Sequence, residues 1–189
     1  MSSQPLDGLL RRALIRCLLS MLMVLSAPPA VAETAVEPLK VAYLYNFTRF
    51  IDWPDPAPGS PFVIAVLDDA PLAEALRALE REHRRAEDRS IAIREISATD
   101  RIGDCQILFV GAAAQDRLPS LLAAVANKPI LLVGDSPGLA RRGIAINFFL
   151  KPDILGEGQR LRFEMNPAAL AGRGLKVSSQ LYDVARVLP

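Results

Sequence analysis

A chain of 189 residues, 51% hydrophobic and 23% charged, is long enough to bury one globular core and too apolar to stay disordered. Its 22 Lys and Arg stand against 21 Asp and Glu with the two signs interspersed, which excludes a basic stripe tracking a phosphate backbone and makes nucleic acid an unexpected partner. Two cysteines provide no disulfide framework.

Residues 1–32 read as a secretory signal peptide. Arg11, Arg12 and Arg16 precede an apolar run over 17–27, and Ala30-Val31-Ala32 supplies a small-residue cleavage site before Glu33. The run is well short of the roughly 20 residues that span a bilayer, so export to the periplasm with cleavage near Ala32 is expected rather than a permanent anchor. The Arg11-Arg12 pair also fits the twin-arginine route, and the choice between that and the Sec route stays open. Cleavage leaves a mature domain, 33–189, of formal charge −1 with Cys105 as its one cysteine. Cys105 reads as a small buried hydrophobe at a strand start, with a redox or intermolecular role as the alternative.

In the mature chain, apolar residues at helical spacing predict an amphipathic helix over 38–53, stopped by Pro54 and followed by a proline-rich loop to Pro61. The unbroken β-branched run over 62–67 predicts a strand covered on both faces. Pro71 then opens a helix over 71–85, and alternation over 90–96 predicts an edge strand. Buried strands follow at 106–110 and 129–133, separated by a helix over 115–126. A short helix to Arg142 precedes strands 144–150 and 160–165, joined around Gly156-Glu157-Gly158 as a hairpin. A helical turn over 167–171 and a last helix over 178–187 complete the chain. Alternating strands and helices need right-handed crossovers, so the expected fold is α/β: a three-layer sandwich with a mostly parallel sheet of about six strands, a C-terminal antiparallel hairpin and flanking helices.

Ligands of open parallel sheets gather at the strand carboxyl ends, here Asp68-Asp69, Gly111, Asp135-Ser136 and Lys151-Pro152. Asp68, Gly111 and Ser136 are the candidate ligand-binding set. The punctuation is similar to that of a phosphoacceptor receiver domain, but Phe109-Val110-Gly111 stands where its aspartate nucleophile belongs, which leaves acidic turn and cap residues as the reading. One His and one Cys far apart in the mature chain exclude a zinc site, and His83 reads as a solvated residue at a charged helix end. Neither a Gly-x-Ser-x-Gly elbow nor a phosphate-cradling glycine loop occurs. No catalytic residue, metal or cofactor is expected.

Two groupings are richer than structure demands. Tyr43, Tyr45, Asn46, Phe47, Arg49, Phe50 and Trp53 crowd one helix, and successive residues cannot all face a core. They divide between core packing and a recognition surface, for which Tyr, Trp and Arg are the usual anchors. In Arg162-Phe163-Glu164-Met165-Asn166, alternation sets Phe163 and Met165 against Arg162 and Glu164, and Asn166 caps the helix begun by Pro167.

Three segments taken in order resemble the YfiR family of periplasmic regulators: the aromatic helix ending in Trp53-Pro54, the strand Cys105-Gln106-Ile107-Leu108-Phe109-Val110-Gly111, and the closing Phe163-Glu164-Met165-Asn166 with Gly174-Leu175 and Ser178-Ser179-Gln180-Leu181. The resemblance covers residues 37–187. It implies a non-enzymatic repressor that binds the periplasmic sensor region of a membrane diguanylate cyclase, limiting cyclic di-GMP and biofilm formation. An outer-membrane lipoprotein that sequesters the repressor and a homodimer are implied as further partners. The two polar groupings supply the expected partner-binding residues: Tyr43, Tyr45, Arg49, Phe50, Trp53, Arg162 and Glu164. The alternative is a small-ligand sensor module acting on a sensor kinase or other membrane receptor through the strand-end crevice. Better-known members carry intramolecular disulfides, and Cys105 has no mate here, so that redox control does not transfer. N-terminal sequencing of protein from a periplasmic extract is expected to begin at Glu33; recovery from the cytosol with residues 1–32 attached overturns the export reading.

Overall fold

The computed structural model describes residues 36–54, 59–99, 102–152 and 158–189. The expected signal peptide, part of the proline-rich loop and most of the turn between the hairpin strands lie outside the described residues. Helix α1 (Val36–Phe50) carries Glu37 in its first turn and Arg49 in its last, each matched to the helix dipole. It stops three residues before the predicted end. Ile51–Asp52 (β1) turns extended and pairs antiparallel with Lys176–Val177 (β9), and the Ser178 N–H caps the Phe50 carbonyl at 2.9 Å. That two-residue ladder joins segments remote in sequence, so helical periodicity could not reveal it.

Strand β2 (Phe62–Leu67) lies between β4 (Arg89–Ile96) and β5 (Ile107–Val110), parallel to both. Its alternation serves two cores, with Phe62, Ile64 and Val66 on one face and Ala65 and Leu67 on the other. Helix α2 (Ala70–Arg81) starts where the Asp69 carboxylate accepts the Leu72 N–H at 3.0 Å and Pro71 occupies the first turn. The predicted continuation to Arg85 fails because His83 takes φ 52° and Arg85–Ala86 (β3) folds onto β4 as a hairpin. Beyond β5, a 3₁₀ turn (Ala112–Arg117) leads into α3 (Leu118–Ala124), β6 (Leu131–Gly134) and a second 3₁₀ turn (Ala140–Arg142).

The predicted strand pair is present as β7 (Ile146–Pro152) and β8 (Gln159–Met165), in antiparallel register from Ile146↔Met165 to Pro152↔Gln159. Asn166 caps α4 (Pro167–Ala171), accepting the Ala169 N–H at 3.1 Å. The last predicted helix is shorter: α5 (Ser179–Val184) gives way to β10 (Arg186–Val187), which joins the sheet parallel to β8.

The main sheet has eight strands in the order β10-β8-β7-β6-β5-β2-β4-β3, two of them only two residues long. Residues from α1, α2, α4 and α5 share one core with the sheet, and those of α3 and the flanking turns share the other, so the expected three-layer α/β sandwich is the observed one. On the first face Tyr43 and Phe47 of α1 meet Phe148 and Phe163 of the hairpin, with ring centroids 5.5–6.0 Å apart. Sequence order reverses between β2 and β5, the switch point where ligands of such sheets enter. Phe47 is fully buried, so Phe47→Ala is expected to cost about 3–5 kcal/mol in urea unfolding, against less than about 0.5 kcal/mol for exposed Asn46→Ala.

Candidate functional site

The carboxyl ends of the parallel strands bring Asp68, Gly111 and Ser136 to one end of the sheet, and there the chain's own groups fill the switch point. Asp68 follows β2 at φ 54°, and its carboxylate is ion-paired with Arg117, whose guanidinium also donates to the Ser97 carbonyl at 2.8 Å. Gly111 donates its N–H to the Leu67 carbonyl at 2.8 Å, so close that a Cβ there would stand 2.5 Å from the Asp68 carbonyl oxygen. Glycine at 111 is thus required by backbone contact, which leaves no space between the two strand ends at that level. Ser136 is 4% exposed, and its carbonyl accepts from Asn147.

Beside this plug lies a buried polar network that strand-end punctuation does not foretell. Lys40 of α1 reaches Asp135 at 2.6 Å, with its ammonium 5.6 Å from the centroid of the Phe109 ring. Asn147 on β7 donates from Nδ2 to the Ser136 carbonyl at 3.0 Å and to Glu164 Oε1 at 3.4 Å. Glu164 in turn is paired with Arg186 of β10. Gly134 makes room for this arrangement, since a Cβ there would lie 2.8 Å from Leu139 Cδ1 and 3.3 Å from Asn147 Oδ1. Asn147 and Glu164, polar residues inside apolar strand runs, were the available sequence signal; Lys40, Arg117 and Arg186 gave none.

The chemistry of these groups is that of ion pairing. Asp68, Asp135 and Glu164 each face a cation at close range: Arg117, Lys40 and Arg186 respectively. Cys105 is 4% exposed, and burial pushes its thiol up to about 12, which keeps it out of the nucleophilic thiolate form. It is the small buried hydrophobe that its sequence position suggested. His83 is exposed on the turn after α2. Among the described residues no group of three or more His, Cys, Asp and Glu is placed to hold a metal ion.

The seven residues proposed for partner binding do not form one surface. Tyr43 is half-buried in the aromatic seam and donates its hydroxyl to the Leu161 carbonyl at 3.3 Å. Tyr45 leans the other way, toward the Arg85 carbonyl (3.4 Å), under the Arg84 guanidinium at 5.2 Å, and Arg49 one turn on is exposed. Phe50 is half-buried against the first core, and Trp53 meets the Phe62 ring edge-on at 5.1 Å. Glu164 is 5% exposed and engaged with Asn147 and Arg186, because the alternation that turns it away from Phe163 aims it at this buried network rather than at solvent. Arg162 is exposed, on the face of β8 opposite the one that α1 covers.

Arg162 instead faces a groove of about 520 Å³ between the outer half of the hairpin and the chain end, walled by Phe149, Leu150, Lys151, Asp183, Val184 and Arg186. Arg186 lies 4.1 Å over the Phe149 ring, and Leu150, Val184 and Val187 are 46%, 53% and 43% exposed at the same edge. Apolar side chains rimmed by arginine and lysine make a protein-docking surface in composition.

The structure is a doubly wound α/β sheet whose strand-end acids are ion-paired and whose outer edge carries exposed apolar side chains beside Arg162, Lys151 and Arg186. The YfiR/HmsC-like family matches residues 37–186, nearly the whole described domain, and the chain belongs to that family. Its members are periplasmic regulators of diguanylate cyclase signalling rather than catalysts. No curated protein matches the chain. Among the described residues no helix is long and apolar enough to cross a membrane.

Two tests follow from the buried groups. Lys40→Met strands Asp135 in a largely buried site and is expected to cost about 2–4 kcal/mol in urea unfolding, most of it regained in Lys40→Met/Asp135→Leu; equal loss in the double variant refutes the pairing. The Cys105 thiol is expected to resist thiol reagents at pH 8 until the chain unfolds. Because the folded state holds its proton to about pH 12 and the unfolded chain releases it near the ordinary thiol value, the stability contributed by the neutral buried thiol is full below that value and lost as pH climbs toward 12. Cys105→Ala is expected to flatten that decline in pH-dependent melting.

Proposed function

We propose that this protein is an exported repressor: it binds the periplasmic sensor region of a membrane diguanylate cyclase, holds the enzyme inactive, and so limits cyclic di-GMP and biofilm formation. The family match over residues 37–186 carries this reading. The exposed edge supports it, because an inhibitor that makes and breaks no bond needs a surface of apolar side chains framed by cations, which the Arg162 groove supplies. Repression is then a population shift: the protein lowers activity by binding the inactive cyclase more tightly than the active one, and a sequestering outer-membrane lipoprotein would relieve it by mass action. Tyr45 and Arg49 on the outer side of α1 form a second contact region. They lie across the sheet from Arg162, so a partner engaging both must wrap an edge.

Deletion of the gene is expected to raise cellular cyclic di-GMP, and the native chain to restore it. Arg162→Glu and Leu150→Arg, both at exposed positions, are expected to fold normally by circular dichroism yet lose at least about 10-fold in cyclase affinity. Tyr45→Ala and Arg49→Ala test the helix side in the same assay. Unchanged cyclic di-GMP on deletion rejects the cyclase reading; normal repression by all four folded variants rejects the assigned surfaces.

A further inference from the structure

A second cavity lies at the opposite end of the sheet from the filled switch point, below the amino ends of β5 and β6. Its volume is about 190 Å³, room for on the order of six water molecules or one compact organic molecule. Trp53, Arg89, Asp104, Cys105, Lys128 and Ile130 line it.

Arg89 is the anomaly. Its side chain is 9% exposed, and Nε, Nη1 and Nη2 are all buried without a hydrogen-bond partner among the described residues. Among the described residues the nearest carboxylate, on half-exposed Glu87, is 3.8 Å from Nη2, beyond hydrogen-bond reach. The guanidinium rests 4.9 Å over the Phe62 ring, which covers one face of its plane and satisfies none of its five N–H groups. A charged donor set buried without acceptors is costly, and such a group is normally met by an anion. The adjoining cavity is where an anion fits. Lys128 supplies a second cation, while Asp104 opposes a multiply charged guest. The Trp53 indole and Ile130 give an apolar wall, and the indole is fixed by its Nε1–H bond to the Gln106 carbonyl at 3.0 Å.

We propose that this cavity binds a small monocarboxylate with a compact apolar body. The Arg89 guanidinium turns off the Phe62 ring toward the cavity and meets the carboxylate as a two-pronged pair, and the body of the ligand lies against Trp53 and Ile130. The site shares no lining residue with the docking groove.

Trp53 is the chain's one tryptophan, so its fluorescence reports on the cavity directly. The intact exported protein would be titrated with sodium benzoate, with benzyl alcohol as the uncharged probe and sodium sulfate as the inorganic dianion. Benzoate is expected to give a saturable change in Trp53 emission and to raise the melting temperature, with benzyl alcohol and sulfate each at least ~10-fold weaker. Arg89→Leu is expected to lose the benzoate response at least ~10-fold while melting no lower than the native protein, because an apolar side chain replaces an unpaired buried charge. Lys128→Met is expected to weaken binding about threefold without changing the fold. The proposal is overturned if benzoate gives no saturable response, if benzyl alcohol matches it, or if Arg89→Leu binds benzoate normally. It is also overturned if Arg89→Leu melts lower or fails to fold, since Arg89 would then serve the core, or if Lys128→Met leaves affinity unchanged. None of these readouts involves the cyclase, so their failure leaves the repressor reading untouched.

Discussion

The aromatic seam between α1 and the β7–β8 hairpin holds the first described element against the last long strands of the chain. Tyr43 and Phe47 contribute from the helix, Phe148 and Phe163 from the sheet, and all four rings lie within 5.5–6.2 Å of a neighbour. Contacts between segments this distant in sequence form only after a large loop-closure cost, so the burial of four rings is what makes the closure favourable. The same helix then serves both ends of the sheet. Lys40 near its start reaches Asp135 at the strand carboxyl ends, and Trp53 just past its end bonds the Gln106 carbonyl at the amino ends.

That arrangement explains why a sheet of this topology offers little at the place where such sheets ordinarily bind ligands. Gly111 approaches the Asp68 carbonyl too closely for any side chain, and Arg117 occupies the carboxylate. The acidic groups at this end are committed to Lys40, Arg117 and Arg186. The outer edge is open, where the strand pairing runs out at β10 and Leu150, Val184 and Val187 stay exposed beside Arg162 and Arg186. An apolar edge beside basic side chains agrees with the regulatory character of the YfiR/HmsC-like family.

The two ends of the sheet also treat buried charge differently. At the carboxyl ends Lys40, half-buried Asp68 and Glu164 each have a counter-charge, and the atoms left over are single oxygens, Asp135 Oδ1 and Asn147 Oδ1, of side chains that are otherwise engaged. At the amino ends Arg89 has Phe62 beneath it, no acceptor among the described residues, and a cavity at its side. Only at Arg89 do all the polar atoms of one buried side chain lack a partner among the described residues, and that difference of degree separates groups that shape the fold from one suited to a ligand.

The sequence by itself determined the layer order, the six main strands, the hairpin and the caps at Asp69 and Asn166, because runs of β-branched residues, proline positions and capping side chains act over a few residues. The family was equally legible, since its motifs survive as short ordered strings. Only the tertiary structure decided where α1 and α5 stop: β1 pairs with β9 and β10 with β8 across long sequence gaps, and two-residue ladders leave no period to read. It also decided the fate of the charged residues. Glu164 and Arg162 are two positions apart on one strand, yet one is buried against Asn147 and the other borders an open groove, while Lys40 and Arg89 look like ordinary solvated cations in the chain. Whether a charge is paired, exposed or stranded depends on what the rest of the fold brings within hydrogen-bond range, and that is a property of three-dimensional packing rather than of local sequence.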